Sequence, residues 1–285
     1  KAMMFLSFAG PAVILFSAVV IVPFLFGLYL TFTGWDGISS SIPFVGLENY
    51  VALFQDGSFW VSLGRTILYA FVAVILANVV AFGLAYLVTS KIKGSNFFRA
   101  AFFTPNLIGG IVLGYIWQFV FKQAILVIGD ATGFSLFSTS WLSDPIKAFW
   151  ALIIVTVWQL SGYLMLIYIA GLMGVSDDLK EAAKIDGCDE KKTTRYITLP
   201  MMAGTFTICF FLAITRAFVT YDVNISLTEG GPYGSTTLAA MYVYNMAFSS
   251  KKYGLGQAEA LILFLVIAII AVTQAFIGKS KEVEA

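Results

Sequence analysis

A stretch of 26 residues without one charged side chain decides the fold class of this chain. It runs from Ala148 to Met173 and reads AFWALIIVTVWQLSGYLMLIYIAGLM. About 20 predominantly apolar residues in a helix cross the ~30 Å hydrocarbon core of a bilayer. Inside a bilayer the backbone must satisfy its own hydrogen bonds, and a helix does so within one segment. The stretch is therefore predicted to be a membrane-spanning helix.

Five further apolar stretches of similar length lie on either side of it. We interpret the first as a retained helix and not as a cleaved signal peptide, because it is longer than a typical signal core and no small-residue cleavage site follows it. The sequence thus predicts an all-α membrane protein with six transmembrane helices. The five additional spans are roughly Phe8–Phe32, Thr66–Thr89, Ala100–Phe121, Met201–Tyr221 and Ala258–Gly278.

The composition excludes several classes of function. The 285 residues are 59% hydrophobic and only 12% charged, well above the apolar share of a soluble domain. A net charge of +1 gives no positive electrostatic field strong enough to attract nucleic acid. Histidine is absent and there are two cysteines, so the sequence predicts no catalytic residue, no metal site and no disulfide framework.

The sequence also lacks a credible ATP-binding loop. Gly278-Lys279-Ser280 imitates the end of one, but Thr273 stands where its first glycine is required, and the segment ends a membrane helix where a strand should precede it.

The basic residues predict the orientation. With the N-terminus placed inside, 11 of the 17 Lys and Arg fall in cytoplasmic segments and five fall outside, while Arg216 lies within a span. Cytoplasmic loops carry such an excess. Both termini are therefore predicted to be cytoplasmic. The predicted division of the chain is an N-terminal helix with its outer loop at 1–61, a five-helix core at 62–278 with a cytoplasmic loop at 174–200, and a tail at 279–285.

The loop between the fourth and fifth spans carries clear signals for two helices. Ser176 is a good N-cap, Gly187 can adopt the left-handed turn that ends a helix, and Asp189 can cap a second one. Pro200 marks the return to the membrane. Four apolar residues are expected largely on one side of the first helix: Leu179, Ala182, Ala183 and Ile185. The residues alone leave three uses open, namely a solvated loop, a helix on lipid headgroups, and a docking site for a protein.

This loop resembles a known motif. Its Glu181-Ala182-Ala183, Asp186-Gly187 and Leu199-Pro200 are similar to the EAA loop of permeases in bacterial binding-protein-dependent ABC importers, with Cys188 in place of the usual alanine. Further segments across nearly the whole chain resemble the carbohydrate-uptake, maltose-type branch. They are residues 44–50, Phe98-Arg99-Ala100, Thr104-Pro105-Asn106 and residues 227–238.

The resemblance implies a type I ABC importer transmembrane fold in the bacterial cytoplasmic membrane, surrounded by lipid. It implies four partners: two ATPase subunits that bind ATP and Mg²⁺, a second permease of different sequence, and an extracytoplasmic sugar-binding protein. This chain would hydrolyse no ATP. The residues implied in docking the ATPase are Glu181, Ala182, Ala183, Asp186, Gly187, Leu199 and Pro200.

A path for sugar needs hydrogen-bonding groups and aromatic faces. The same polar residues could equally join one helix to another. Arg216 is costly in a membrane, and it could either reach the outer interface or pair with Glu259. The candidates are Asn78, Asn106, Gln118, Gln159, Tyr163, Arg216 and Glu259, with Ser161 as a further polar group.

Other functions remain open at this point. A self-contained secondary carrier or channel would usually show broken helices and charges near the bilayer midplane, and these spans are almost free of charge. A non-transporting scaffold and an importer for a solute other than sugar are further alternatives.

Overall fold

The computed structural model describes residues 2–90 and 93–282, with side chains from residue 9 onwards. Most of this part is helical, and the described residues contain no β-strand, only an isolated bridge between Thr33 and Phe44. The predicted all-α class is confirmed. The predicted orientation counts Lys1 and Lys91, and the predicted tail includes residues 283–285. These residues lie outside the described part of the chain.

The first two helices are joined by a widened π-helical turn at Ser17–Ile21. Pro23 is the second residue after this turn and lies at the start of the second helix, where its missing N–H costs little. The fourth helix is capped by Asp56, whose carboxylate accepts the backbone N–H of Ser58 at 2.9 Å. The first four helices are α1 (Ala2–Phe16), α2 (Val22–Leu30), α3 (Glu48–Gln55) and α4 (Gly57–Thr89).

The predicted third span, Ala100–Phe121, is wrong. The helix ends at Leu107, and Ile108 and Gly109 are extended, so a second helix starts at Gly110 and continues through a π-helical turn to Thr132. Hydropathy is continuous across this break and could not show it. The next four helices are α5 (Ser95–Leu107), α6 (Gly110–Phe119), α7 (Ile125–Thr132) and α8 (Pro145–Gly174).

The last part of the chain contains the loop helices and the remaining spans. Residues 190–201 form one helical run, which meets the following helix at a bend of 65°. The helices are α9 (Asp177–Ile185), α10 (Glu190–Thr193), α11 (Leu199–Met201), α12 (Ala203–Phe218), α13 (Asp222–Leu227), α14 (Ala239–Tyr244) and α15 (Tyr253–Lys279).

Five helices in the described part of the chain are long and apolar enough to cross a membrane, and six if the bent pair counts as one span. The bent pair, Glu190–Met201 with Ala203–Phe218, corresponds to the predicted fifth span. The other five are Ala9–Leu30, Gly57–Thr89, Gly110–Thr132, Pro145–Gly174 and Tyr253–Lys279.

The segment that follows the predicted fifth span contains short helices. Its helix α13 packs on α6 where two glycines make room: a Cβ on Gly110 would lie 2.7 Å from the Cβ of Asp222, and one on Gly114 would overlap Ser226. These two glycines therefore allow α13 to pack closely on α6. Asn224, part of a glycosylation triplet, is fully buried and donates to the Thr236 carbonyl at 2.8 Å, so this amide is inaccessible for glycosylation.

By their contacts, the residues form two compact units, 1–62 with 242–265 and 63–241 with 266–285. In the larger unit α8 is the central helix, with Leu152, Leu164 and Met165 fully buried. In α4, alanines at every fourth position from residue 73 to residue 85 are fully buried, which is the spacing of one helix face.

Candidate functional site

Helix α9 begins and ends where the sequence predicts. The Ser176 hydroxyl accepts the backbone N–H of Asp178 at 3.2 Å, which caps the start. Gly187 has φ of +82° and closes the end. The Asp189 carboxylate then accepts the backbone N–H of Lys192 at 2.7 Å and starts the next helix. The predicted helix–turn–helix is confirmed, and it is built by local hydrogen bonds.

The four apolar residues of α9 do not share one side, which corrects the prediction. Ala183 is buried at 6% exposure, whereas Ala182 is exposed and Ile185 is 86% exposed. A helix turns about 100° per residue, so two residues two positions apart lie on different sides. Glu181, Ala182, Ile185 and Asp186 are all exposed. In this chain, α9 therefore presents a mixed acidic and apolar surface away from its buried alanine.

The chain changes direction two residues after Pro200. Leu199 and Pro200 are still helical, and the helical run ends at Met201. The change of direction occurs at Met202, which is fully buried and starts α12. The second part of the loop is thus one helical run from Glu190 to the base of α12, and the turn at Gly187 separates this run from α9.

Three of the predicted path residues form one cluster near the other end of α12. The Arg216 guanidinium donates to the amide oxygen of Asn106 at 2.9 Å and lies over the ring of Tyr163, 4.6 Å from its centroid. Arg216 stands in the last turn of α12, where the helix dipole favours a cation. The Arg216 side chain is exposed.

A cavity of about 440 Å³ adjoins this cluster. Gln159 lines it next to Arg216 and is held by a hydrogen bond to the Ile108 carbonyl at 3.2 Å. The break between α5 and α6 supplies that free carbonyl. Tyr221 and Asp222 complete a polar wall.

Tyr221 and Asp222 were missed by sequence reasoning. They directly follow the fifth span, where a membrane pattern assigns residues to the outer loop. The available signal was a Tyr-Asp pair within a few residues of an intramembrane arginine. This signal is weak, because the short helix α13 brings the pair back to the cavity only through its packing on α6.

Two other candidates make their hydrogen bonds inside the protein. Asn78 is buried, and it donates to the Val74 carbonyl at 2.8 Å and accepts from the Tyr168 hydroxyl at 2.7 Å. Gln118 donates to the carbonyls of Ser226 and Leu227 at 3.2 and 3.3 Å. These side chains have their hydrogen bonds within the protein, which fits the packing alternative. Ser161 likewise donates to a carbonyl of its own helix.

Glu259 lies in the smaller unit. It is fully buried, and neither carboxylate oxygen has a hydrogen-bond partner among the described residues. Near it, Asp56 accepts a hydrogen bond from the Tyr242 hydroxyl at 2.6 Å. Burial, together with the hydrogen bond to Asp56 and the charge of that carboxylate, raises the pKa of Tyr242.

Comparisons with known proteins identify the family. Residues 77–282 match the family described as binding-protein-dependent transport system inner membrane component. A probable starch degradation products transport system permease protein, AmyD of Thermoanaerobacterium thermosulfurigenes, is 42% identical over 97% of this chain and 94% of that relative. The multiple sugar-binding transport system permease protein MsmF of Streptococcus mutans is 35% identical over 92% and 90%.

A solved structure gives the same fold. A bacterial ABC transporter involved in the import of the acidic polysaccharide alginate superposes with a TM-score of 0.82 at 18% identity, covering 95% of this chain and 93% of that one. The predicted importer fold and the predicted family resemblance are both confirmed. The chain is a member of the binding-protein-dependent transport family and is an inner membrane permease component of that family.

Proposed function

We propose that this chain is the permease subunit of an ATP-driven ABC importer that moves a sugar, either an oligosaccharide or a sugar derivative, across the bacterial cytoplasmic membrane. One observation carries the proposal: in a chain of this family, helix α9 is capped, has an exposed surface, and carries the pattern Glu181-Ala182-Ala183 and Asp186-Gly187. The named sugar cargoes of the relatives support the choice of cargo.

The exposed side of α9 is the proposed docking surface for an ATPase subunit. Glu181 would make a charge-assisted hydrogen bond to it, and the small side chain of Ala182 lets the partner approach. Gly187 holds the turn, and Leu199 and Pro200 join the loop to α12. ATP and Mg²⁺ would be bound by two such ATPase subunits. The remaining partners are a second, different permease and an extracytoplasmic sugar-binding protein.

The proposed domains follow from this arrangement. The core is 62–278 with the docking loop at 174–200, preceded by an N-terminal helix and outer loop at 1–61 and followed by a cytoplasmic tail at 279–285. Both termini and the docking loop would face the cytoplasm.

The helical run Glu190–Met201, which follows α9 after the turn at Gly187, suggests how force would pass from the ATPase to the cavity. A push on α9 reaches the helical run that ends at Met201 and, through buried Met202, the base of α12. From there to Arg216 are 14 residues, about 21 Å of helix. A rigid tilt of α12 would thus move Arg216 relative to Asn106 and Tyr163. Rigid-body motions of this kind open and close transport paths.

The Arg216 cluster and its cavity are the proposed place where sugar passes. Guanidinium and amide groups can donate to sugar hydroxyls, and the Tyr163 ring offers an apolar face to a pyranose. Gln159 adds a further polar group. We expect Asn78 and Gln118 to act in packing, with no contact to cargo.

The test is uptake of labelled maltooligosaccharides into vesicles that contain the full chain with its partner subunits. We expect uptake only with ATP on the ATPase side and the binding protein on the other side. Glu181→Ala should abolish it, while Lys191→Ala, an exposed change in the same loop, should not. Uptake that follows an ion gradient without ATP would instead establish a secondary carrier. Transport of amino acids with no transport of sugar would reject the cargo.

A further inference from the structure

The cavity beside Arg216 carries two opposite charges that do not pair. Arg216 and Asp222 are the only charged side chains among its described lining residues. They form no ion pair with each other, and the Asp222 carboxylate makes no hydrogen bond or ion pair within the described part of the chain. Both side chains are exposed. A molecule that enters the cavity therefore meets a free anion as well as a cation.

Two contacts fix the position of Asp222 at the cavity. Its backbone carbonyl accepts a hydrogen bond from the Ser226 hydroxyl at 2.6 Å, one turn along α13. Its carboxylate lies beside Gly110, because a Cβ on that glycine would be 3.5 Å from Oδ2 of Asp222. Gly110 is the first residue of α6, where the positive end of the helix dipole favours a carboxylate. The backbone thus holds Asp222 in place and leaves its carboxylate available.

The strongest free donor and the strongest free acceptor of the cavity are these two charged groups. The hydroxyl of Thr156 is already hydrogen-bonded to Tyr69 at 2.5 Å. The Arg216 guanidinium has five N–H groups and uses one of them on Asn106, so most remain free. A guanidinium only donates hydrogen bonds and a carboxylate only accepts them, and both form stronger bonds than neutral groups do.

The geometry points to Asp222 as the residue that makes this passage select neutral sugars over anionic ones. This inference rests on the proposed passage of sugar through the cavity. A hydroxyl both donates and accepts, so the hydroxyls of a neutral sugar satisfy the carboxylate and the guanidinium together. A uronate or a phosphorylated sugar instead brings a second anion into the space beside Asp222. Such a repulsive contact is an effective way to discriminate between related ligands.

The test compares two probes: maltotriose, and the same trisaccharide with its terminal CH₂OH group oxidised to a carboxylate. Saturation-transfer difference NMR measures the affinity of each for the assembled complex of the full chain, its partner permease and the ATPases, without the binding protein. We expect the wild type to prefer maltotriose, and Asp222→Asn to reduce this preference by about tenfold or more. Arg216→Gln should increase the preference, because it removes the attraction for the anion.

Asp130→Asn is the matched control. Asp130 is an exposed acid of α7 outside the cavity lining, so its variant should keep the wild-type ratio of the two affinities. A residue that only supports the fold would weaken both probes together. An unchanged ratio in Asp222→Asn, or equal affinities of the wild type for both probes, would therefore overturn the selective role of Asp222.

A third result would overturn more than this role. If neither probe bound to the complex, the passage of sugar through the cavity would be wrong together with the selective role of Asp222. The importer function would still stand or fall on ATP-driven uptake, which this binding measurement does not use.

Discussion

Helix α9 and the Arg216 cluster are built in opposite ways. Every hydrogen bond that shapes α9 joins residues within a few positions, such as Ser176 with Asp178 and Asp189 with Lys192. The Arg216 cluster instead brings together residues more than 50 positions apart, from α5, α8 and α12. Local hydrogen bonds keep their geometry while neighbouring helices move, whereas a cluster shared by three helices changes whenever they shift. The two regions should therefore respond differently to mutation.

The largest effect is expected in the loop. In Gly187→Val a β-branched residue would be forced to φ of +82°, at a cost of about 1–3 kcal/mol. ATP-driven uptake should be abolished and the ATPase should no longer co-purify, although the spans remain inserted. Gly133→Val is the matched control, because Gly133 has φ of +69° and open space around it, outside the loop. If both variants transported equally well, the docking role of the loop would be wrong.

The second effect concerns the packing of α5 against α8, which positions Asn106. A Cβ on Gly162 of α8 would overlap the carbonyl of Phe102 in α5, so Gly162→Ala should push α5 away. Overpacking typically lowers the free energy of unfolding by about 1–3 kcal/mol. We expect a value near the top of this range, because the obstacle here is a backbone carbonyl. We expect a lower unfolding temperature and reduced uptake. Gly83→Ala, with nothing within 4 Å, should change neither measurement. Equal unfolding temperatures for the two variants would contradict the close α5–α8 packing.

A third change sharpens the comparison at the cavity. Arg216→Leu removes the hydrogen bond to Asn106 and the contact with the Tyr163 ring. We expect sugar uptake to fall by about tenfold, as for a lost charged hydrogen bond, with the ATPase still co-purifying. Arg216→Lys keeps the charge without the planar fork and should be intermediate. Wild-type uptake by both variants would remove Arg216 from the path.

The smallest effect on transport is expected at Tyr168. Tyr168→Phe deletes the hydroxyl that donates to buried Asn78, and a buried acceptor left without its partner costs about 1–3 kcal/mol. The unfolding temperature should fall while the concentration dependence of sugar uptake stays the same. A change in apparent affinity for sugar without a change in stability would move Asn78 from packing back to the path.

The cavity was only partly predictable. Asn106, Gln159, Tyr163 and Arg216 stand out as polar groups in apolar spans, but Asn78 and Gln118 look the same in the sequence. Whether such a side chain lies beside the cavity or between packed helices depends on its hydrogen-bond partner. Those partners are main-chain carbonyls or hydroxyls distant in the sequence. Composition and hydropathy carry no information on such pairs.

The sequence by itself determined the all-α membrane class, the helix–turn–helix of the loop and the family. These depend on hydrophobic length, capping residues and a motif, all of which are properties of neighbouring residues. Only the tertiary structure decided that the third span starts at Gly110, that α13 packs on α6, and that the side chain of Ile185 is exposed. Each of these depends on steric fit or burial against a distant segment, which a continuous apolar pattern leaves undetermined.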